Sequence, residues 1–320
     1  ASKIDRTKSH LVPALPVRWD AFLILSACLP SNEPILPCLS RIVNDAESTS
    51  FADWFGHGTI HAYEFWRVVS TRVYGDINRL PRENVQPEIK LLVSIVEKLW
   101  QGDVPDVAAI LECALIRVEI DVQRDFDRAD RLSLELVEKA DRLCDQEVQV
   151  HVLQTRADAL RCKNQDLEAI EVYQSAIDRQ PESDWSEEAD LYLLLAISQA
   201  KAGQWRTAIR TADHSGKLFS AQTDGDASLN RLSAAKSWLE AAAFAVHGSA
   251  YYRAAGLLIK AYRALTNEHR NDPLWAVLAQ VSWALVNRLS PDAANPEPPA
   301  PGFSIILKDN DELRNMQRSA

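Results

Sequence analysis

The sequence predicts an all-α protein, a right-handed solenoid of stacked helical hairpins preceded by an N-terminal helical bundle. Only 10 glycines occur among 320 residues, fewer than folds rich in glycine turns require. Apolar residues recur at spacings of three and four in one segment after another. An alanine follows a polar or glycine-containing break at four places 40, 39 and 46 residues apart, namely Ala129, Ala169, Ala208 and Ala254.

Composition and charge exclude several classes of protein. With 47% hydrophobic residues the chain has ample material for a core, and its 35 Lys and Arg against 45 Asp and Glu give a net charge of −10. This charge is the wrong sign for a nucleic-acid-binding protein. The most apolar run, 21–29, is too short to cross a membrane. Five dispersed cysteines without a C-x-x-C pair fit a reducing compartment, so we expect a cytoplasmic protein without a zinc knuckle.

The N-terminal third divides into an arm and a bundle. Residues 1–16 show no apolar periodicity and are expected to form a flexible arm. Residues 17–102 are expected to form the helical bundle. Its predicted helices are 17–29, 34–47, an aromatic-rich segment at 51–80, and a helix with Pro87 in its first turn that ends before Gly102.

The remaining helices repeat a two-helix unit between residues 103 and 290. The clearest unit, 150–181, places small and large apolar residues on one face of each helix, at Leu153, Ala157 and Leu160 and then Ala169, Tyr173 and Ala176. These residues resemble the tetratricopeptide repeat (TPR) family. The resemblance implies a solenoid in which the first helix of each hairpin lines a concave groove that takes up a peptide or helix.

Three further units resemble this one less closely, and a helix and a tail follow them. The alanines are expected where helix axes approach closely. Asn271 or Asp272 would cap a terminal helix that has Pro273 in its first turn. The region 216–230 is expected to be a long loop, and 291–320 a Pro-rich linker with an apolar stretch at 303–307. In the clearest unit, Arg156 and Asp166 stand where the family carries apolar residues.

Counting along the first helices gives a candidate partner-binding groove. Most of its members are apolar, which favours an apolar or amphipathic segment as the partner. Asp158, Ile197 and Ala243 stand where chaperone-binding members of the family carry a carboxylate clamp, so carboxylate capture is not expected. The alternative is that the chain itself covers these residues. The groove set is Leu111, Ala114, Val118, Gln154, Asp158, Arg161, Leu193, Ile197, Leu239, Ala243 and Val246.

Motifs for chemistry are scarce. His57, His61 and Glu64 share one face if that segment is helical, as metal ligands can, but Gly56 and Gly58 weaken the helix and no H-E-x-x-H signature accompanies them. The more favoured interpretation is an aromatic-rich structural helix. No G-x-S-x-G, G-x-G-x-x-G or G-x-x-x-x-G-K-[ST] motif occurs. We therefore expect neither an enzyme nor a cofactor.

An acidic run and the aromatic residues of the repeats are both interpreted as structural features. The acidic run 119–147 is expected to be a solvated helix face, with a basic partner as the alternative. The repeat aromatics Tyr173, Trp205, Trp238, Tyr251 and Tyr252 are expected to pack within the fold.

The sequence thus predicts a non-enzymatic scaffold for a protein or peptide partner. One version is the sensor or regulatory segment of a larger signalling protein, in which a neighbouring domain is the partner. A metal-dependent enzyme or metal-regulated module at the histidines and a self-associating structural protein are the alternatives.

Overall fold

The computed structural model describes residues 34–46, 62–102, 104–139, 142–143, 145–181, 185–222, 226–265 and 272–289. Within these ranges the chain is helical and contains no strand, which confirms the all-α prediction. None of the described helices is both long enough and apolar enough to cross a membrane. The helices are α1 Ile35–Ala46, α2 Ala62–Asn78, α3 Arg82–Gln101, α4 Pro105–Val118, α5 Phe126–Glu138, α6 Gln146–Cys162, α7 Asp166–Asp178, α8 Trp185–Lys201, α9 Trp205–Ala221, α10 Ala227–His247, α11 Tyr251–Ala264 and α12 Leu274–Leu289.

Helix ends follow local side-chain chemistry. The Leu274 amide donates to Asp272 Oδ1 at 2.9 Å, so Asp272 caps α12 as one of the two predicted candidates. Asp145 and Asp226 cap α6 and α10 in the same way, which satisfies amides that a helix leaves without internal partners.

Two predicted boundaries are wrong. Helix α3 begins at Arg82, and Pro87 lies inside it, because the buried apolar stripe extends upstream to Val85. The expected loop 216–230 is mostly helix, since α9 continues to Ala221 and α10 begins at Ala227. Gly216 is an internal residue of α9 that faces the Trp238 indole. Its lack of a side chain serves close packing between helices and does not mark a turn.

The chain separates into two compact units. The first contains residues 1–168 and 178–181, and α4 is its central helix. Every residue of α4 except Asp106 and Arg117 is buried, because α2, α3, α5 and α6 all pack against it. A helix with apolar residues on every side needs cover from several neighbours.

The second unit contains residues 169–177 and 182–320. Here α8 packs on α9, α9 on α10, and α10 on α11, while α12 packs on both α10 and α11. Helix α10 is the central helix, with an almost unbroken buried run from Ser237 to Val246. All four repeat alanines, Ala129 in the first unit and Ala169, Ala208 and Ala254 in the second, are completely buried.

The repeat aromatics mostly pack as predicted. Tyr173 and Trp238 are buried, and the Trp205 ring stacks on His247 with 5.2 Å between centroids. Tyr251 is partly buried against the core of the second unit. The prediction is wrong for Tyr252, which is 95% exposed, because the packed side of α11 is the opposite one.

Candidate partner-binding face

Most of the predicted groove residues lie in the packed interior. Seven of the eleven are buried, because the central helices α4 and α10 and the inner side of α8 are covered by neighbouring helices. The remaining four, Gln154, Asp158, Arg161 and Ile197, are half-buried. The seven buried residues are Leu111, Ala114, Val118, Leu193, Leu239, Ala243 and Val246.

In the first unit, the half-buried groove residues lie on α6 and are polar. Arg161 Nη2 lies 3.4 Å from Asp158 Oδ1, one turn away on the same helix. An ion pair of this kind at a partly exposed site stabilises a helix by only a few tenths of a kcal/mol, roughly. The pair leaves this part of α6 without an apolar surface of the kind the groove prediction required.

In the second unit, α8 keeps one line of side chains that are not fully buried. It consists of Asp190, Leu194, Ile197 and Lys201 at spacings of four, three and four, all half-buried or exposed, and Ile197 packs partly against the core of the second unit. Tyr192 marks the opposite side of the helix, where its ring meets His214 of α9 edge-on at 4.6 Å. This line of α8 therefore points away from α9.

Helix α10 has a matching line. Ser233, Lys236 and Glu240 are half-buried or exposed, while the positions flanking Lys236 and Glu240 are buried. Trp238 marks the opposite side, since its indole faces Gly216 of α9 and lies under the Lys260 ammonium of α11. Helices α8 and α10 also contact each other, and we call their two lines together the open face.

The open face combines apolar and charged groups. Leu194 and Ile197 supply apolar area, and Lys201 and Lys236 supply ammonium groups. Burial raises the pKa of the Glu240 carboxyl to about 7, although the nearby Lys236 lowers it. Glu240 thus titrates near neutral pH, and the net charge of the open face becomes more positive as the pH falls.

The acidic run does not form a purely solvated face in the structure. Asp130 accepts hydrogen bonds from Arg156 and, at 2.9 Å, from Lys163, and Lys163 lies 3.0 Å from Asp127. Ser133 also accepts from Arg156 at 3.0 Å. Arg156, which departs from the family pattern, therefore joins α5 to α6 within the first unit.

A second polar cluster holds a buried carboxylate in the first unit. Glu112 of α4 accepts a hydrogen bond from the Trp100 indole at 2.7 Å and pairs with Lys139 at 3.1 Å. Lys139 and Arg142 also lie over the Trp100 ring at 4.9 and 5.2 Å. Paired and hydrogen-bonded in this way, a buried charge is compatible with a folded core, and the cluster is structural.

The first unit buries two groups of types that take part in catalysis elsewhere, the Cys113 thiol and the His151 imidazole. Burial raises the pKa of the Cys113 thiol to about 12 and lowers the pKa of His151 to about 3. At neutral pH the thiol is therefore protonated and the imidazole is neutral. Neither state is that of an activated nucleophile or a proton donor.

The described residues hold no group of three or more His, Cys, Asp or Glu side chains that could bind a metal. His57 and His61 lie outside the described residues, and the side chain of Glu64 does too, so the predicted metal module stays a hypothesis. The predicted arm 1–16 and tail 291–320 also lie outside the described residues, so these two predictions stay untested.

Comparison with known proteins does not assign the chain to a family. No protein-family model matches the chain. No curated protein sequence matches it either.

Proposed function

We propose that the protein is a non-enzymatic interaction scaffold that binds an amphipathic helix or extended peptide on the open face. The observation that carries this proposal is the pair of lines of half-buried and exposed side chains on α8 and α10, whose other sides are packed. Scaffolds of helical hairpins commonly use the first helices of successive hairpins for binding.

A solenoid of TPR-like hairpins is the arrangement we propose behind this surface. Two observations within the units support it. In the second unit, alternate helices contact each other, α8 with α10 and α10 with α12, in addition to consecutive ones. In the first unit α4 contacts α2 and α6 in the same way. Such contacts are typical of hairpins stacked side by side.

The chemistry of the open face indicates an amphipathic partner in place of a wholly apolar one. Burying Leu194 and Ile197 would supply the hydrophobic part of the affinity at about 25 cal/mol per Å². Lys201 and Lys236 would receive carboxylates from the partner. Because these side chains are half-buried and exposed respectively, they are expected to affect specificity and association rate more than affinity.

The test uses a displayed library of amphipathic peptides selected on the full chain. Affinities of the selected peptides are then measured by fluorescence anisotropy for Ile197→Glu and for Ile259→Glu, which changes an exposed isoleucine on α11. We expect Ile197→Glu to weaken binding about tenfold or more, because it places a charge in the apolar patch.

Ile259→Glu is the matched control and is expected to leave the affinity within about twofold, a difference below 0.5 kcal/mol. Equal binding to wild type and Ile197→Glu, or loss of binding in Ile259→Glu alone, would contradict the proposal.

A further inference from the structure

The outer side of α11 is an apolar stripe that stays largely exposed within the described part of the chain. Tyr252 is 95% exposed, Ile259 51% and Tyr262 59%. These residues follow one another at helical spacing, opposite the buried stripe formed by Ala254, Leu257, Leu258 and Ala261. Large exposed apolar side chains at this density are unusual on a surface that faces water alone.

Gly256 forms a notch in the middle of this stripe. A side chain at this position would have open space, with nothing within 4 Å, and the backbone of Gly256 is that of an ordinary helix. Glycine inside a helix is less stable than alanine by about 1 kcal/mol. Packing within the described fold does not require the glycine, and the open space above it leaves room for an occupant of the stripe.

The charge on this side of α11 is of one sign. Arg253 and Arg263 are exposed, and the helix YYRAAGLLIKAYRA contains no acidic residue. Neither arginine forms an ion pair within the described part of the chain. An occupant of the stripe should therefore present apolar side chains together with carboxylates.

One segment of the chain has this composition. Residues 303–312 read FSIILKDNDE, so four apolar residues at 303 and 305–307 are followed by carboxylates at Asp309, Asp311 and Glu312. A second copy of α11 is a poorer occupant, because its arginines would meet like charges.

The connection is long enough for the segment to reach α11. Helix α12 begins beside the end of α11, where Trp275 meets the Tyr262 ring edge-on at 5.7 Å, and it packs against α11. Residues 290–302, with five prolines, follow α12. Thirteen residues at about 3.1 Å each span about 40 Å, about twice the length of α11 at about 1.5 Å per residue.

We propose that residues 303–312 dock on the outer side of α11, with their apolar side chains between Tyr252 and Tyr262 and their carboxylates at Arg253 and Arg263. This interaction lies on a different helix from the open face. It does not depend on the function proposed above.

The test is photo-crosslinking in the full chain, with p-benzoylphenylalanine in place of Phe303. After irradiation at low protein concentration, the monomer band is digested and the crosslinked peptides are identified by mass spectrometry. We expect crosslinks to the peptide that contains residues 251–264. The same group in place of Met316, beyond the proposed segment, is expected to give at least about fivefold fewer of them.

Two substitutions test the contacts. Ile259→Asp is expected to lower the crosslink yield about tenfold, because it places a carboxylate in the apolar contact. Arg263→Glu is expected to lower it about threefold, and Arg263→Glu with Asp311→Arg to restore it. The matched control Arg210→Glu, at an exposed arginine of α9, is expected to leave it unchanged. Circular dichroism checks that each variant keeps its helices.

Three results would overturn the proposal. The first is crosslinks in the dimer band alone, which would show a second copy to be the occupant. The second is crosslinks to other helices. The third is a crosslink yield that Ile259→Asp leaves unchanged in a folded variant. Since Ile197→Glu does not touch this contact, it should leave the crosslink intact. A failure here is therefore separate from a failure of peptide binding on the open face.

Discussion

Gly216 of α9 lies directly against the indole of Trp238 on α10, so that a methyl group at residue 216 would come within 2.6 Å of Trp238 Nε1. Beside this contact, Ser215 and Ser237 hydroxyls lie 3.0 Å apart, and Ser215 donates to the Ala189 carbonyl at 2.7 Å. Small residues and internal hydrogen bonds together allow the two helices to approach closely while a large ring fills the space next to them.

Gly216→Ala is therefore expected to destabilise the protein, although alanine favours a helix more than glycine does. Relief of the clash requires the indole or the helix to move, which costs about 1–3 kcal/mol. Thermal unfolding followed by circular dichroism measures the effect.

Gly256→Ala is the matched control, because it replaces another helical glycine that has open space around it. It should raise the stability by up to about 1 kcal/mol. If Gly216→Ala raised the unfolding midpoint as much as Gly256→Ala does, the close packing of α9 on α10 would be disproved.

Two neighbouring positions of α8 should respond differently to the same change. Leu193 is buried and Ile197 lies on the open face. Leu193→Glu is expected to cost roughly 3 kcal/mol or more, because it buries a carboxylate without a partner. Ile197→Glu is expected to change stability by less than about 1 kcal/mol. Urea unfolding of both variants tests this, and comparable losses would place Ile197 in the core.

The contact between α5 and α6 should weaken in acid. Burial alone would raise the pKa of Asp130, but hydrogen bonds from Lys163 and Arg156 hold it below its ordinary value of 3.8. A carboxyl with a lowered pKa in the folded state contributes stability above its unfolded pKa, and this stability is lost as the pH falls through the folded value.

Wild type should therefore lose stability below about pH 4 more steeply than Asp130→Asn, in which the titrating group is absent. The measurement is the unfolding midpoint of both proteins from pH 6 to pH 2.5. Parallel curves for the two proteins would mean that the ion pairs contribute nothing measurable.

Glu240 should have the opposite pH dependence. Burial raises its pKa from 4.5 to about 7, so its contribution to stability is complete below pH 4.5. As the pH rises, the unfolded chain loses the proton first, and stability declines until the folded carboxyl has also ionised, near pH 7. Glu240→Gln should remove this decline.

The measurement is the difference in unfolding midpoint between Glu240→Gln and wild type at pH 5 and at pH 8, with the variant relatively more stable at pH 8. Carboxyl-specific NMR titration of Glu240 gives the pKa directly. A pKa near the ordinary 4.5 would remove this prediction.

The helices and the repeat alanines were predictable from sequence because both depend on short-range patterns. Ala129, Ala169, Ala208 and Ala254 each follow a turn signal and stand in an apolar stripe, and all four are completely buried. Asp272 was predictable as a cap candidate for the same reason, because a capping side chain acts within two or three residues of its own position.

The groove residues were harder to predict because each first helix has neighbours on several sides. Counting by three and four identifies a stripe but does not say whether that stripe faces a partner or a second helix. Leu239 and Val246 belong to the side of α10 that is packed, whereas the line on the open face runs through Lys236 and Glu240. A one-residue change of register separates the two, so the pattern alone could not decide between them.

Long-range partners were also beyond the sequence. Arg156 looked like a departure from an apolar position, but Asp130, 26 residues away, accepts its hydrogen bond. Gly216 looked like the start of a loop, because the position of Trp238 on the next helix cannot be inferred from spacing along the chain.

The most direct test of partner binding on the open face is lysine footprinting with a peptide selected on the full chain. Acetylation rates are measured by mass spectrometry with and without the peptide. We expect Lys201 and Lys236 to become at least about threefold less reactive, while Lys217 and Lys260, which both pair with Asp213, keep their rates. Protection of Lys217 or Lys260 with no change at Lys201 and Lys236 would contradict this expectation.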